Sequence, residues 1–158
     1  MPKKALNTTT ETASSQLVFT GDFQQNATET LKPGAEVTIL FDSNRLPFER
    51  STGAKGKAEW TISAFYQTSS EGAVSEVKLT AAKKGETVLK GVFTVPAESS
   101  EVIIWFLNTG KSGNVYFDSN LDKNYRFPVI NEVTETPAPA KKARAKKRKT
   151  YLLQIKQK

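Results

Sequence analysis

Neither cysteine nor histidine occurs anywhere in the 158 residues. The first absence rules out disulfides, thiolate metal ligands and a thiol nucleophile, and it leaves the redox compartment unreadable. The second removes the side chain that titrates nearest neutrality and is the commonest metal ligand. Acid–base chemistry would have to run on Asp, Glu, Lys, Tyr or Ser. The chain therefore reads as a non-enzymatic protein with no cofactor and no resident metal. Long apolar runs are missing too: none approaches the ~20 residues that cross a bilayer as a helix. The opening MPKKALNTTTETASSQ is polar and lacks the apolar segment of a secretory leader. The expectation is a soluble, cytoplasmic product with no transmembrane segment, although export by a non-Sec route would leave no trace. Hydrophobic residues make up only 37% of the chain. That is low for a wholly globular protein and points to a compact body with solvated ends.

The net charge of +7 is unevenly placed. Nine of the 23 cations and no acidic residue lie between Pro137 and Lys158, leaving 14 basic against 16 acidic groups elsewhere. The body is nearly neutral, and all of the basicity belongs to the tail.

Residues 1–15 are rich in Thr and Ser, carry no period and read as disordered. From Leu17 the pattern is that of short strands. Glu36 to Asp42 alternates, with Val37, Ile39 and Phe41 on one side and Leu40 implying partial cover on the other. Glu59 to Gln67 sets Trp60, Ile62, Ala64 and Tyr66 on one face, and Val88 to Val95 does the same with Leu89, Phe93 and Val95. Val102 to Leu107 is apolar on both faces, the mark of a central strand covered on both sides. With Leu17–Phe19, Val74–Leu79, Val115–Phe117 and Tyr125–Ile130 the count reaches about eight. No window sustains a helical period. The expected fold is all-β: an antiparallel β-sandwich of about eight strands, immunoglobulin-like or carbohydrate-module-like, over residues 16–133. A Pro/Ala linker follows at 134–140 and a disordered basic tail at 141–158.

Two regions carry chemistry. The first is the polar loop Asp118–Asn124 between aromatic strands. Asp118, Asn120, Asp122 and Asn124 alternate as in the first half of an oxygen-ligand calcium loop. The sixth position is Lys123 instead of Gly, and the twelfth is Val129 instead of Glu, so an Asx-rich turn that satisfies its own backbone outweighs calcium. The same amides and carboxylates beside Tyr116, Tyr125 and Trp105 suit a sugar site, where a ring stacks on the pyranose and polar groups meet its hydroxyls. Trp60 and Trp105 sit in apolar strands and read as core, which makes Tyr125 the better platform. Arg45 and Arg50 fit either an anion clamp or, the plainer alternative, pairing with Asp42, Asp118 or Asp122. The second region is Lys141, Lys142, Arg144, Lys146, Lys147, Arg148 and Lys149, seven cations in nine residues. Such a polycation attracts nucleic acid, another polyanion or an anionic membrane surface without reading sequence.

The segments Asp42–Arg50 and Tyr116–Phe127, with Trp105–Gly110 between them, resemble a bacterial β-sandwich family of unknown function. That family carries an Arg-Leu-Pro…Arg segment and an Asp-Ser-Asn…Gly-Lys-Asn-Tyr segment. The resemblance covers about Leu17 to Ile130. Here Phe48 stands where a polar residue or Cys is usual, and Asp122 where Gly is usual. The Asp-Ser-Asn…Asn-Tyr run is also similar to the last-strand motif of starch-binding modules, which implies glycan binding. The expected function is therefore a binding module whose ligand face comprises Asp118, Asn120, Asp122, Asn124, Tyr125, Arg45 and Arg50. The alternatives are a polyanion- or nucleic-acid-associated protein acting through its tail, or a subunit that joins a protein assembly by its edge strands and the Tyr151–Ile155 patch.

Overall fold

Strand formation follows the two-residue period wherever one side of a segment is apolar. The computed structural model describes residues 14–131. The N-terminal segment to residue 13, the linker 134–140 and the basic tail 141–158 lie outside the described residues. Ten strands occur in chain order: β1 Ser15–Phe19, β2 Gln25–Ala27, β3 Glu36–Asp42, β4 Thr61–Thr68, β5 Val74–Lys78, β6 Thr80–Ala81, β7 Val88–Thr94, β8 Glu101–Thr109, β9 Val115–Asp118 and β10 Tyr125–Pro128. Single 3-10 turns at Ser43–Arg45 and Ala54–Gly56 interrupt the long β3–β4 connection.

Two open sheets make the sandwich, with order β2-β1-β3-β7-β6 in one and β10-β8-β4-β5 in the other, β9 also pairing β8. Seven of the eight pairings are antiparallel. The eighth departs from the all-antiparallel expectation: β1 runs parallel to β3, Leu17 opposite Ile39 and Phe19 opposite Phe41. That register sets Leu17 and Phe19 on the same inner face as Val37, Ile39 and Phe41.

The core lies between the sheets. Leu17, Phe19, Val37, Ile39 and Phe41 from one sheet meet Ile62, Ala64, Val102, Ile104 and Phe106 from the other, all essentially without exposure. The Phe106 ring sits 4.6 Å from Phe19 and 4.1 Å from Phe41. Burying side chains of this size stabilises the fold by about 1.5–3 kcal/mol each.

The burial of β8 also departs from expectation. Cover on both faces is expected from its sequence, yet burial alternates: Val102, Ile104 and Phe106 are buried, whereas Ile103, Trp105 and Leu107 are only half-buried. Their side of β8 is the outer face of its sheet. Trp105, expected in the core, stands there instead. Trp60 does pack against the core from its rim.

Candidate functional site

The polar loop is an insertion in a single edge strand. β9 and β10 run along the same edge of β8, with Asp118 opposite Phe106 and Tyr125 opposite Ile104. An uninterrupted strand would bring residue 120 opposite Ile104, so five extra residues are looped out beside Trp105. The loop turns back on itself in left-handed backbone. Asn120, Leu121, Asp122 and Asn124 have φ between 51° and 66°. Asn and Asp tolerate this region through local hydrogen bonding, but Leu does not, and an L-residue there costs roughly 1–2 kcal/mol. Asp122 occupies that region at the position where the resemblance sets glycine.

Internal bonds hold the loop. The Asn124 N–H donates to the Ser119 carbonyl at 2.7 Å and the Lys123 N–H to the Asn120 carbonyl at 3.2 Å. Asn120 Nδ2 donates to the Asn124 carbonyl and Ser119 Oγ to Asp122 Oδ1, both at 3.3 Å. This is an Asx-rich turn that satisfies its own backbone. The alternating acidic and amide side chains do not converge on one point, because Asp118 turns inward. No group of three or more acidic side chains placed to hold a metal occurs among the described residues.

Asp118 belongs to a buried lock. Its Oδ2 accepts from Arg45 Nε at 2.6 Å, and its Oδ1 accepts from the Tyr125 hydroxyl at 2.5 Å. Arg45 Nη2 closes the triangle by donating to the Tyr125 oxygen at 2.6 Å, and Nη1 donates to the carbonyls of Thr20 and Gln24 at 2.9 and 3.0 Å. Residue exposures are 3% for Arg45, 7% for Asp118 and 4% for Tyr125. The guanidinium carbon also lies 4.9 Å from the centroid of the Phe23 ring and 5.5 Å from that of Tyr125. Burial, reinforced by the Asp118 carboxylate, pushes the Tyr125 phenol up to about 12. The lock ties the 3-10 turn after β3 and the β1–β2 turn of one sheet to β9 and β10 of the other. A pair this deep is stable only because its donors and acceptors are nearly all used.

Outside the sheet, on the half-buried side of β8, the register aligns an apolar band. Phe65 of β4 lies opposite Trp105, Gln67 opposite Ile103 and Ser63 opposite Leu107. Leu107 in turn faces Phe117 of β9. The Phe65 and Trp105 rings run nearly parallel, 16° between planes and 6.1 Å between centroids. Phe117 is 56% exposed, and Leu121, at the loop tip, is 90% exposed.

On the sandwich edge beneath the loop is an open groove of about 630 Å³, lined by Gln25, Asn120, Asp122, Lys123, Asn124 and Arg126 among others. The Asn124 side-chain amide has no partner among the described residues.

The model of a family of unknown function, DUF6209, matches residues 7–141. The chain belongs to that family. No curated protein and no solved structure matches it. The portion matched to DUF6209 takes in every described residue, hence lock, loop and apolar band together, and ends at the first lysine of the basic block.

In this DUF6209 chain the seven residues expected to share a ligand face separate into three groups. Asn120, Asp122 and Asn124 line the groove, and Tyr125 touches its wall although only 4% exposed. Arg45, Asp118 and Tyr125 are spent on one another inside the protein, so Tyr125 offers no stacking platform and Arg45 no anion clamp. Arg50 lies elsewhere: it donates through Nη2 to the carbonyls of Ser43 and Leu46 and covers Trp60, its guanidinium carbon 3.8 Å from the ring centroid. It forms no ion pair among the described residues. The lysines and arginines of residues 141–149 lie outside the described residues.

Sequence reasoning missed Phe65, Trp105, Phe117 and Leu121 as surface groups. A signal existed in β4, where Phe65 interrupts the polar series Thr61, Ser63 and Gln67. An aromatic on the wet side of a half-buried strand marks a surface ring.

Proposed function

We propose that this protein is a non-enzymatic binding module. Its ligand, a glycan, lies on the outer face of β8 and reaches the 120–124 loop. The observation that carries this reading is the apolar band of Phe65, Trp105 and Phe117, which borders a loop rich in amides and carboxylates. A sugar ring has an apolar face and a polar rim, and it needs both kinds of surface side by side. Leu121 supports the reading. Its side chain gives the fold almost no packing, yet it sits on backbone where glycine would be free of strain. Strain kept without a structural return points to a role outside the fold. The resemblance of the Asp-Ser-Asn…Asn-Tyr run to starch-binding modules runs in the same direction, with the platform moved from Tyr125 to Trp105.

Affinity electrophoresis in gels containing soluble glucans, mannans or xylans tests this. Wild type is retarded by at least one of them, and Trp105→Ala and Asn124→Ala migrate as in a blank gel. Equal mobility of all three proteins in every gel removes the proposal.

A second reading rests on the charge pattern. The seven cations of residues 141–149 would hold a nucleic acid or another polyanion by counterion release, with affinity falling steeply as salt rises. Removing residues 137–158 then abolishes a salt-sensitive DNA or RNA gel shift. A shift that survives the deletion, or its absence at low salt, counts against this role.

A further inference from the structure

The edge of the sandwich where β4 and β5 approach β6 and β7 is not closed. A cleft of about 740 Å³ opens there, roofed by the connection that carries Pro47, Arg50 and Trp60. The chain crosses between sheets at this edge: β5 ends at Lys78 and β6 begins at Thr80, and the Leu79 N–H between them bonds the Ile62 carbonyl at 2.9 Å. This crossing puts Leu79 on the cleft wall beside Ile62 and Leu89. Gly91 of β7 allows the approach, since a Cβ there would fall 2.5 Å from Leu79 Cδ2 and 2.6 Å from Val77 Cγ1. The cleft is thus apolar at its base, and its volume lies within the ~300–1,000 Å³ of small-molecule sites.

Its rim is cationic. Lys78 and Lys84 are exposed and form no ion pair among the described residues. The Lys84 ammonium lies close against the backbone of the 54–56 turn, where a Cβ on Gly56 would sit 3.2 Å from Nζ. Arg50 adds a third positive charge. Its Nη1 is sealed from solvent and has no hydrogen-bond partner, so it contributes field instead of a contact. Glu86 is the single acidic group on the lining, and its Oε2 accepts the Lys83 N–H at 3.1 Å.

We propose that this cleft binds a small amphipathic anion, an apolar body seated against Trp60 and the accessible edges of Leu79 and Leu89 with a carboxylate held by Lys78 and Lys84. The unpaired charge at the rim selects the sign of the ligand's head, and the walls select its body. The site is separate from the outer face of β8, so either can fail without the other.

The test titrates sodium decanoate into the full-length protein and follows amide and indole N–H resonances. Saturable shifts are expected at the Trp60 indole and along Thr80–Glu86, with the Trp105 indole unmoved. A Lys78→Glu/Lys84→Glu variant, checked for an unchanged urea midpoint, binds at least about tenfold more weakly, and so does decanol against the wild type, a loss of about 1.4 kcal/mol. A Lys141→Glu/Lys142→Glu variant keeps wild-type affinity. The proposal is overturned by absence of saturation up to the millimolar range, by shifts centred on Trp105, by equal affinity in the cleft variant, or by equal loss in the tail variant.

Discussion

The two faces of β8 are built from nearly the same kind of residue and have opposite fates. Val102, Ile104 and Phe106 point inward and are sealed by the other sheet; Ile103, Trp105 and Leu107 point outward and stay partly accessible. Composition does not separate them. What separates them is whether a partner layer exists, and on the outer side none is present among the described residues. Inward residues give stability through area removed from water. Outward ones leave apolar surface beside solvent, and it is on this surface that the proposed ligand rests.

Several substitutions would break or sharpen this contrast. The largest effect is expected where the inner side is polar: Asp118→Ala leaves the Arg45 guanidinium buried and unpaired and should cost about 3–5 kcal/mol in urea unfolding. A loss under about 1 kcal/mol would mean that water reaches the lock. Phe106→Ala, which opens a cavity against Phe19 and Phe41, should cost a comparable ~3–5 kcal/mol.

Tyr125→Phe comes next. It removes a hydroxyl that donates to Asp118 and accepts from Arg45, a loss of about 1.5–3 kcal/mol for bonds to charged groups. It also changes the pH profile. The phenol titrates near its ordinary value of 10.0 when unfolded and at about 12 when folded. The stability that depends on the neutral phenol is therefore complete below pH 10 and declines as pH rises toward 12. Wild type should lose more stability than Tyr125→Phe between pH 9.5 and 11.5, as read from paired denaturation midpoints. Parallel profiles would place the titrating group elsewhere.

Much of the inner side was legible in the sequence, and most of the outer side was not. Val37, Ile39 and Phe41 alternate with polar neighbours, so their direction follows from the period alone. The pairing of Arg45 with Asp118, 73 residues apart, was among the plain alternatives because both flank apolar strands. β2 was invisible: Gln25, Asn26 and Ala27 carry no apolar pattern and form a strand only because β1 offers backbone partners. The parallel β1–β3 pairing leaves no local signature either. β8 misled for a physical reason. A run that is apolar at every position reads the same whether its second face is covered by protein or left open, since periodicity reports side, not cover. The loop's amides were legible, but the burial of Tyr125 was not: its ring is chemically suited to stacking and its hydroxyl is consumed by the lock.

The smallest effect expected is a gain. Leu121→Gly removes an exposed side chain from left-handed backbone and should raise stability by roughly 0.5–1 kcal/mol, partly offset by the freer unfolded chain. If it destabilises instead, Leu121 packs in solution and its exposure has another explanation.

The most direct test of the division between the two faces measures two properties of neighbouring variants, Phe106→Ala and Trp105→Ala. Urea midpoints and retention on the glycan that binds wild type are recorded for each. The account predicts that Trp105→Ala keeps its midpoint to within about 1 kcal/mol of stability and loses retention, while Phe106→Ala loses stability and, at temperatures where it stays folded, is still retained. A Trp105→Ala protein that unfolds like Phe106→Ala, or that binds like wild type, would contradict it.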